Sequence, residues 1–307
     1  MSALDRALSR YLRMRRGLGY RYDREAGYLR EFVTFMKAAQ ATVITRKLAM
    51  AWVTQFERTS WPQRMSAVRG FARHLTNIEP RTETPPVGIF RSPKRARAYI
   101  YTEAEIERLL DATLHWGLAK GINRWTYRCL FGLLAATGMR IGEAMNLRRA
   151  DVDLEAGILT LRMTKGGRVR LVPLHPTATR ALADYVARRD ECPACRRSPR
   201  FFVLRQGRPL RHQYPHRVFL AVLRRIGLRD PEPHSRGPRI HDLRHSFAVN
   251  TMVRWYRAGE DVEHLLPTLA TYLGHSKIRD TYWYLSAYPE LMEEAVGLLE
   301  ARWEAGS

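Results

Sequence analysis

The segment His241-Asp-Leu-Arg244-His-Ser-Phe-Ala, then Leu273-Gly-His275, then a tyrosine-rich stretch ending at Tyr284, place a guanidinium, two imidazoles and a phenol within 44 residues. An arginine is always charged and forks onto phosphate oxygens. Histidine moves protons near neutral pH, and tyrosine can act as a covalent nucleophile. The combination points to phosphoryl transfer through a tyrosine intermediate, with no evident need for a metal or other cofactor.

Upstream, Ala136-Thr-Gly-Met-Arg140-Ile-Gly-Glu143 sets a second arginine just after a glycine that ends a helical pattern. Small residues there allow tight backbone packing around a rigidly held cation. Two other arrangements suggest metals. His241 and His245 have the i, i+4 spacing of helical metal ligands, but an adjacent Arg244 disfavours a cation and no third ligand is evident. Cys192-Pro-Ala-Cys195 is half of a zinc knuckle that His212 or His216 would have to complete; incidental thiols on a loop are the simpler reading.

The elements that must position these groups follow from composition and periodicity. The 307 residues suffice for two domains. Lys and Arg total 52 against 30 Asp and Glu, a net charge of +22, which implies a polyanionic partner. The first 100 residues hold 20 of these cations against 7 acids. Three cysteines make a disulfide framework unexpected. With no apolar leader and no long apolar run, a cytoplasmic protein without membrane contact is expected.

Leu4, Leu8, Tyr11 and Leu12 recur at helical spacing, as do Tyr28, Phe32, Phe35 and Met36. Further helices are predicted over 45–56 and 66–75. Pro80, Pro85, Pro86, Gly88 and Pro93 then break the pattern. This gives a helical domain over 1–80, a linker over 81–101 and a second domain over 102–307. In the second domain, Thr102 and Glu105 form a capping box. A helix over 124–136 ends at Gly138, and a short helix spans 141–147. Strands over 157–164 and 168–172 flank the turn Lys165-Gly-Gly. Helices over 176–189 and 213–226, a short strand over 200–204, and helical patterns from His241 onward complete the reading. The fold class is mainly α with a small β-sheet.

Five motifs now stand in order: Ala-Thr-Gly-Met-Arg140-Ile-Gly-Glu, Thr164-Lys165-Gly-Gly, His241-Asp-Leu-Arg244-His-Ser-Phe-Ala, Leu273-Gly-His275-Ser and Thr281-Tyr-Trp-Tyr284. In this order, over roughly residues 100–290, they resemble the tyrosine recombinases, the phage integrase family. The resemblance implies a helical core-binding domain followed by an α+β catalytic domain. It makes Arg140 and Arg244 a clamp that neutralises charge on a five-coordinate phosphorus. It gives His241 a part in deprotonating the nucleophile, and His275 a hydrogen bond to a phosphate oxygen. Lys165 would be the general acid for the 5′-oxygen, and Glu143 would orient the arginine pair.

The family's tyrosine stands nine residues after the motif histidine, which selects Tyr284. Tyr282 is a rival two residues away, and packing on amphipathic helices is the reading preferred for Tyr272, Tyr282 and Tyr288. His245 is read as a structural histidine. The resemblance further implies attack on double-stranded DNA, a 3′-phosphotyrosyl link, and rejoining by a second 5′-hydroxyl. No ATP or metal is implied, and four protomers would act on two duplexes. The apolar stripe Leu291, Met292, Ala295, Leu298, Leu299 and Trp303 would dock on a neighbouring protomer or on its own domain. The rival functions are a type IB topoisomerase and a DNA-binding regulator that keeps the fold without the chemistry.

Overall fold

The computed structural model describes residues 2–20, 22–90, 97–115, 121–162, 169–230, 237–275, 277–288 and 296, and for 286 and 287 the backbone alone. Lys165 and the whole of the C-terminal stripe therefore lie outside the described residues. The chain divides into two units, Met1–Ala96 and Arg97–Ser307.

Among the described residues the first unit holds four α-helices: α1 Ala3–Gly17, α2 Asp23–Ala38, α3 Arg46–Val53 and α4 Trp61–Leu75. Their starts are written locally. Ser2 and Asp5 close a capping box at α1, and the Thr45 hydroxyl accepts from Leu48 N at α3, satisfying amides that have no intrahelical partner. The positions at helical spacing turn inward: Leu8, Tyr11, Leu29, Phe32, Met36, Trp52 and Phe71 are buried in one core. Burial of each such side chain is worth about 1.5–3 kcal/mol. The outer faces keep the cations. Arg64 is an exception, its guanidinium lying 3.4 Å from the Phe56 ring centroid while it pairs with Glu31 at 2.6 Å.

The proline-rich stretch after α4 is fastened to this unit. Glu83 N donates to Ile44 O at 2.8 Å, and the Glu83 carboxylate accepts from Arg46 N at 2.7 Å. Arg69 donates to the carbonyls of Pro85 and Pro86, and Phe90 packs on Trp61. The prolines block a helix there, but their free carbonyls give Arg69 a place to bond.

In the second unit, α5 Glu103–Leu114 begins at the expected Thr102–Glu105 capping box. It is followed by α6 Ile122–Thr137 and α7 Ile141–Asn146. Strands β1 Val152–Asp153, β2 Ile158–Arg162 and β3 Val169–Pro173 form an antiparallel sheet in that order. Next come α8 Pro176–Asp190, α9 Pro193–Arg196, the paired β4 Val203–Leu204 and β5 Arg208–Pro209, and α10 Gln213–Arg225. Helices α11 Asp242–Arg257, α12 Val262–Leu273 and α13 Arg279–Ala287 complete the described elements. β1, β5 and α9, of two to four residues each, are too short to leave a periodic signal.

Helix α6 is the hub, packed by α5, α8 and α11. Its Tyr127, Leu130, Phe131 and Leu134 are buried with Leu159 and Val172 of the sheet and Phe219 of α10. A second cluster joins α11, α12 and α13 through Val249, Met252, Leu266, Leu269, Leu273, Tyr284 and Tyr288, with Ala98 beneath. The site described next lies along the polar edge of this second cluster.

Candidate active site

Two helices end at a glycine, and each end holds an arginine. Gly138, the C-cap of α6, and Gly274, the C-cap of α12, have φ of 59° and 68°, the left-handed region that glycine enters without penalty. Helix C-termini leave carbonyls unpaired and carry partial negative charge. Arg244, in the first turn of α11, donates Nη1 to Gly138 O at 2.8 Å and Nη2 to Leu273 O at 2.8 Å. Arg140 is the N-cap of α7, and its Nη2 donates to Gly274 O at 2.9 Å. The two guanidiniums are therefore fixed on consecutive carbonyls of one helix end.

Burial of Arg244, and next the Arg140 cation, push its guanidinium down to about 10. It remains charged at neutral pH. Only 3% of Arg244 is exposed, whereas the Arg140 side chain is 39% exposed. The site thus presents one buried cation and one that reaches solvent.

A carboxylate joins Arg140 to a third cation. Glu143 Oε1 accepts from Arg140 Nη1 at 3.0 Å, and Oε2 accepts from Arg140 N and from Arg170 Nη2, both at 2.9 Å. The sequence reading passed over Arg170, which strand geometry places here. Val172 faces the core and Arg170 lies two residues away on the same face of β3, opposite Leu161 of β2. Val169 and Leu171, at 58% and 59% exposed, take the outer face instead. The signal was the inverted pattern Val-Arg-Leu-Val, with the charge on the inner side.

Arg170 also lies against Gly274, where an added Cβ would collide with its Nη1. Its Nε and Nη1 are buried without a hydrogen-bond partner among the described residues. Desolvation, the largest influence on it, lowers its pKa.

The imidazoles and the phenol close the other side. His275 follows Gly274 directly, and its Nδ1 lies 2.7 Å from the buried Thr281 hydroxyl. Its ring stacks on Tyr284 with centroids 6.5 Å apart. Tyr284 is 1% exposed. Its hydroxyl is hydrogen-bonded to His245 Nδ1 at 2.9 Å, so the histidine read as structural is a direct partner of the phenol. The His241 ring stands 4.9 Å from that of His245, edge to face. His241 keeps an exposed edge. Desolvation of the rest of its ring, then Arg244, hold its imidazole below the ordinary range.

Arg140, Glu143, Arg244, His275 and Tyr284 are thus brought together with Arg170 and His245, and His241 stands at the rim. Tyr282 corrects the sequence reading: its side chain is 42% exposed rather than packed, while Tyr288 is buried and Tyr272 half-buried. Lys165 lies outside the described residues. Among the described residues, no group of three His, Cys, Asp or Glu could hold a metal ion, and no helix is long and apolar enough to cross a membrane. Chemically, the arrangement offers fixed cations for an anion beside a phenol held against two imidazoles.

Residues 100–290 match the profile of the phage integrase family. The chain is 47% identical to the putative integrase/recombinase y4rB of Sinorhizobium fredii over 99% of both chains. It is 36% identical to the putative integrase/recombinase y4rE of the same organism, over 95% of this chain and 94% of that one. In structure it resembles the XerH site-specific recombinase bound to its palindromic difH substrate after cleavage, with a TM-score of 0.66 and 19% identity over 90% of this chain and 78% of the other.

Proposed function

The chain belongs to the phage integrase family, and on that premise we propose that Tyr284 is the nucleophile of its DNA strand exchange. The protein is a tyrosine recombinase whose activity is site-specific DNA recombination, cleaving and rejoining strands. The observation that carries the residue assignment is the anchoring of Arg140 and Arg244 on the adjacent carbonyls of Gly274 and Leu273, beside the Tyr284 phenol.

Their remaining N–H groups bind the non-bridging oxygens of the scissile phosphate. These cations are held before the substrate arrives, so they stabilise charge building on phosphorus without reorganisation. His275 donates a hydrogen bond to the same phosphate, with Thr281 fixing its ring. Glu143 and Arg170 set the position of Arg140. The attack forms the Tyr284 Oη–phosphorus bond and releases a 5′-oxygen, which Lys165 protonates. Bond energy is conserved in the phosphotyrosyl link, so no ATP is consumed. No metal is needed, because arginine, lysine and histidine supply the charge and protons.

The basic helical unit is the core-binding domain, which grips the backbone of double-stranded DNA. Its affinity falls steeply with salt as counterions are released. Four copies act on two duplexes in the cytoplasm, in the integration or transposition of a mobile element.

The test is a suicide duplex, selected by binding from a randomised pool and nicked so that the cleaved end diffuses away. Wild-type protein is expected to form a covalent adduct at Tyr284, mapped by mass spectrometry, with or without EDTA. Tyr284→Phe abolishes the adduct and keeps binding. An adduct that vanishes instead with Tyr282→Phe, or one lost to chelator and restored by zinc, overturns the assignment. A relaxation assay run beside a two-site joining assay separates recombination from topoisomerase action.

A further inference from the structure

A phenol with an ordinary pKa near 10 attacks phosphorus only as it loses its proton. The group that takes the proton must lie within hydrogen-bond reach of the phenol oxygen. His245 meets that requirement, with Nδ1 2.9 Å from the Tyr284 hydroxyl. Both residues are almost wholly enclosed, at 3% and 1% exposed. The contact joins α11 to α13 across 39 residues of chain.

The surroundings fix the imidazole. His241 lies edge-on 4.9 Å from the ring, Trp283 packs at 5.9 Å, and the Tyr284 ring meets it at 5.5 Å. The charged neighbour in the chain, Arg244, turns its guanidinium onto the carbonyls of Gly138 and Leu273. In a neutral imidazole one ring nitrogen is an acceptor and can take up a proton. His241 has an exposed edge, which suits exchange with solvent or contact with DNA.

We propose that His245 is a further catalytic residue, whose Nδ1 accepts the Tyr284 proton during strand cleavage. The inference rests on the reading of Tyr284 as nucleophile. As the Oη–phosphorus bond forms, the phenol proton passes to Nδ1 and the bond from phosphorus to the 5′-oxygen breaks. That oxygen takes its proton from the general acid assigned to Lys165. Rejoining runs the same transfers backward, and His245 returns the proton to the phenol.

The experiment uses the full chain and the suicide duplex with sulfur replacing the bridging 5′-oxygen at the scissile phosphate. Sulfur leaves as a thiolate without needing a proton, so the phenol's proton is the transfer that remains. His245→Asn offers an oxygen near the Nδ1 position that can keep the hydrogen bond but cannot take the proton. Adduct formation by this variant is expected to fall about 100-fold or more near neutral pH. Its rate should then climb with pH into the alkaline range, where wild type levels off. A fluorinated tyrosine of lower phenol pKa at position 284 should restore much of the rate.

A near-wild-type rate for His245→Asn, or a loss by one constant factor at every pH, overturns the proposal. If His245→Asn does not fold, as judged by circular dichroism and DNA binding, His245→Gln is read by the same criteria. If wild type itself forms no adduct at Tyr284, the assignment of the nucleophile has failed, and this inference falls with it. That result is distinct from a defect confined to the His245 variants.

Discussion

Arg140 and Arg244, 104 positions apart in the sequence, hydrogen-bond to consecutive carbonyls, Gly274 O at 2.9 Å and Leu273 O at 2.8 Å. The last turn of α12 therefore acts as a template that sets the spacing of the two cations. Hydrogen bonds to charged groups contribute roughly 1.5–3 kcal/mol each. That offsets part of the cost of taking Arg244 out of water, and the partial negative charge at the helix C-termini offsets more.

Gly274 is the weak point of this template. Gly274→Ala strains a backbone at φ of 68° and drives a Cβ into Arg170. The backbone strain alone is expected to cost about 1–3 kcal/mol of stability. Displacement of the Arg140 anchor is expected to slow adduct formation about 100-fold. Gly259→Ala is the control: its φ of 73° is similar, but nothing lies within 4 Å of the added Cβ. It should lose stability and keep its cleavage rate. Equal cleavage by the two variants in a suicide-substrate assay would show that the Gly274 contact does not position the clamp.

Glu143 bridges two arginines, so the loss of its charge should be felt by both. Glu143→Gln is expected to destabilise the protein by about 3–5 kcal/mol, because it leaves buried Arg170 without a counter-charge. Arg170→Met removes that buried cation, whose Nε and Nη1 find no partner among the described residues. The double variant Glu143→Gln/Arg170→Met should therefore be more stable than the sum of the single effects implies, by about 0.5–3 kcal/mol. Urea unfolding of the four proteins measures this. Strict additivity would mean that the 2.9 Å ion pair carries no coupling.

The lowered pKa of His241 gives a pH dependence with a definite sign. Below the ordinary value of about 6.5, the unfolded chain takes a proton at this site before the folded chain does. Stability present above pH 6.5 is therefore lost as the pH falls through the folded pKa of His241. Relative to His241→Gln, the wild-type urea midpoint should drop between pH 7 and pH 5. NMR titration of the ring should place its midpoint below that of a free histidine. A midpoint at or above the free value would contradict the desolvation and the Arg244 repulsion that lower it.

Much of the framework was legible in the chain because its signals are local. The Thr102–Glu105 capping box, the glycine stop at Gly138 and the helical spacing of Tyr28, Phe32 and Met36 each depend on residues within a turn or two. They recur in the structure as α5, the end of α6 and the core face of α2. The strand expected from 157 begins at Ile158 and is described as far as Arg162, and helix ends shift by a few residues where fraying and capping compete.

The roles of Arg170 and His245 were not legible, because each depends on a partner far along the chain, and the exposure of Tyr282 depends on how α13 is turned. Arg170 meets Glu143 from 27 positions away, and His245 meets Tyr284 from 39. Tyr282 and Tyr284 lie about 200° apart around one short helix, so the face that α13 turns inward decides which phenol is buried. Periodicity over nine residues is too short to fix that rotation.

By itself the sequence determined the kinds of chemistry present: guanidiniums to hold an anion, imidazoles to move protons, a phenol to attack, and a surplus of positive charge to meet a polyanion. Residue type carries those properties wherever the chain goes. Only the tertiary structure decided which arginine is buried and which reaches solvent, which histidine touches the phenol, and which tyrosine faces the cage. Those outcomes depend on where α6, α11, α12, α13 and β3 come to rest against one another, and the packing of the second unit's two apolar clusters sets that.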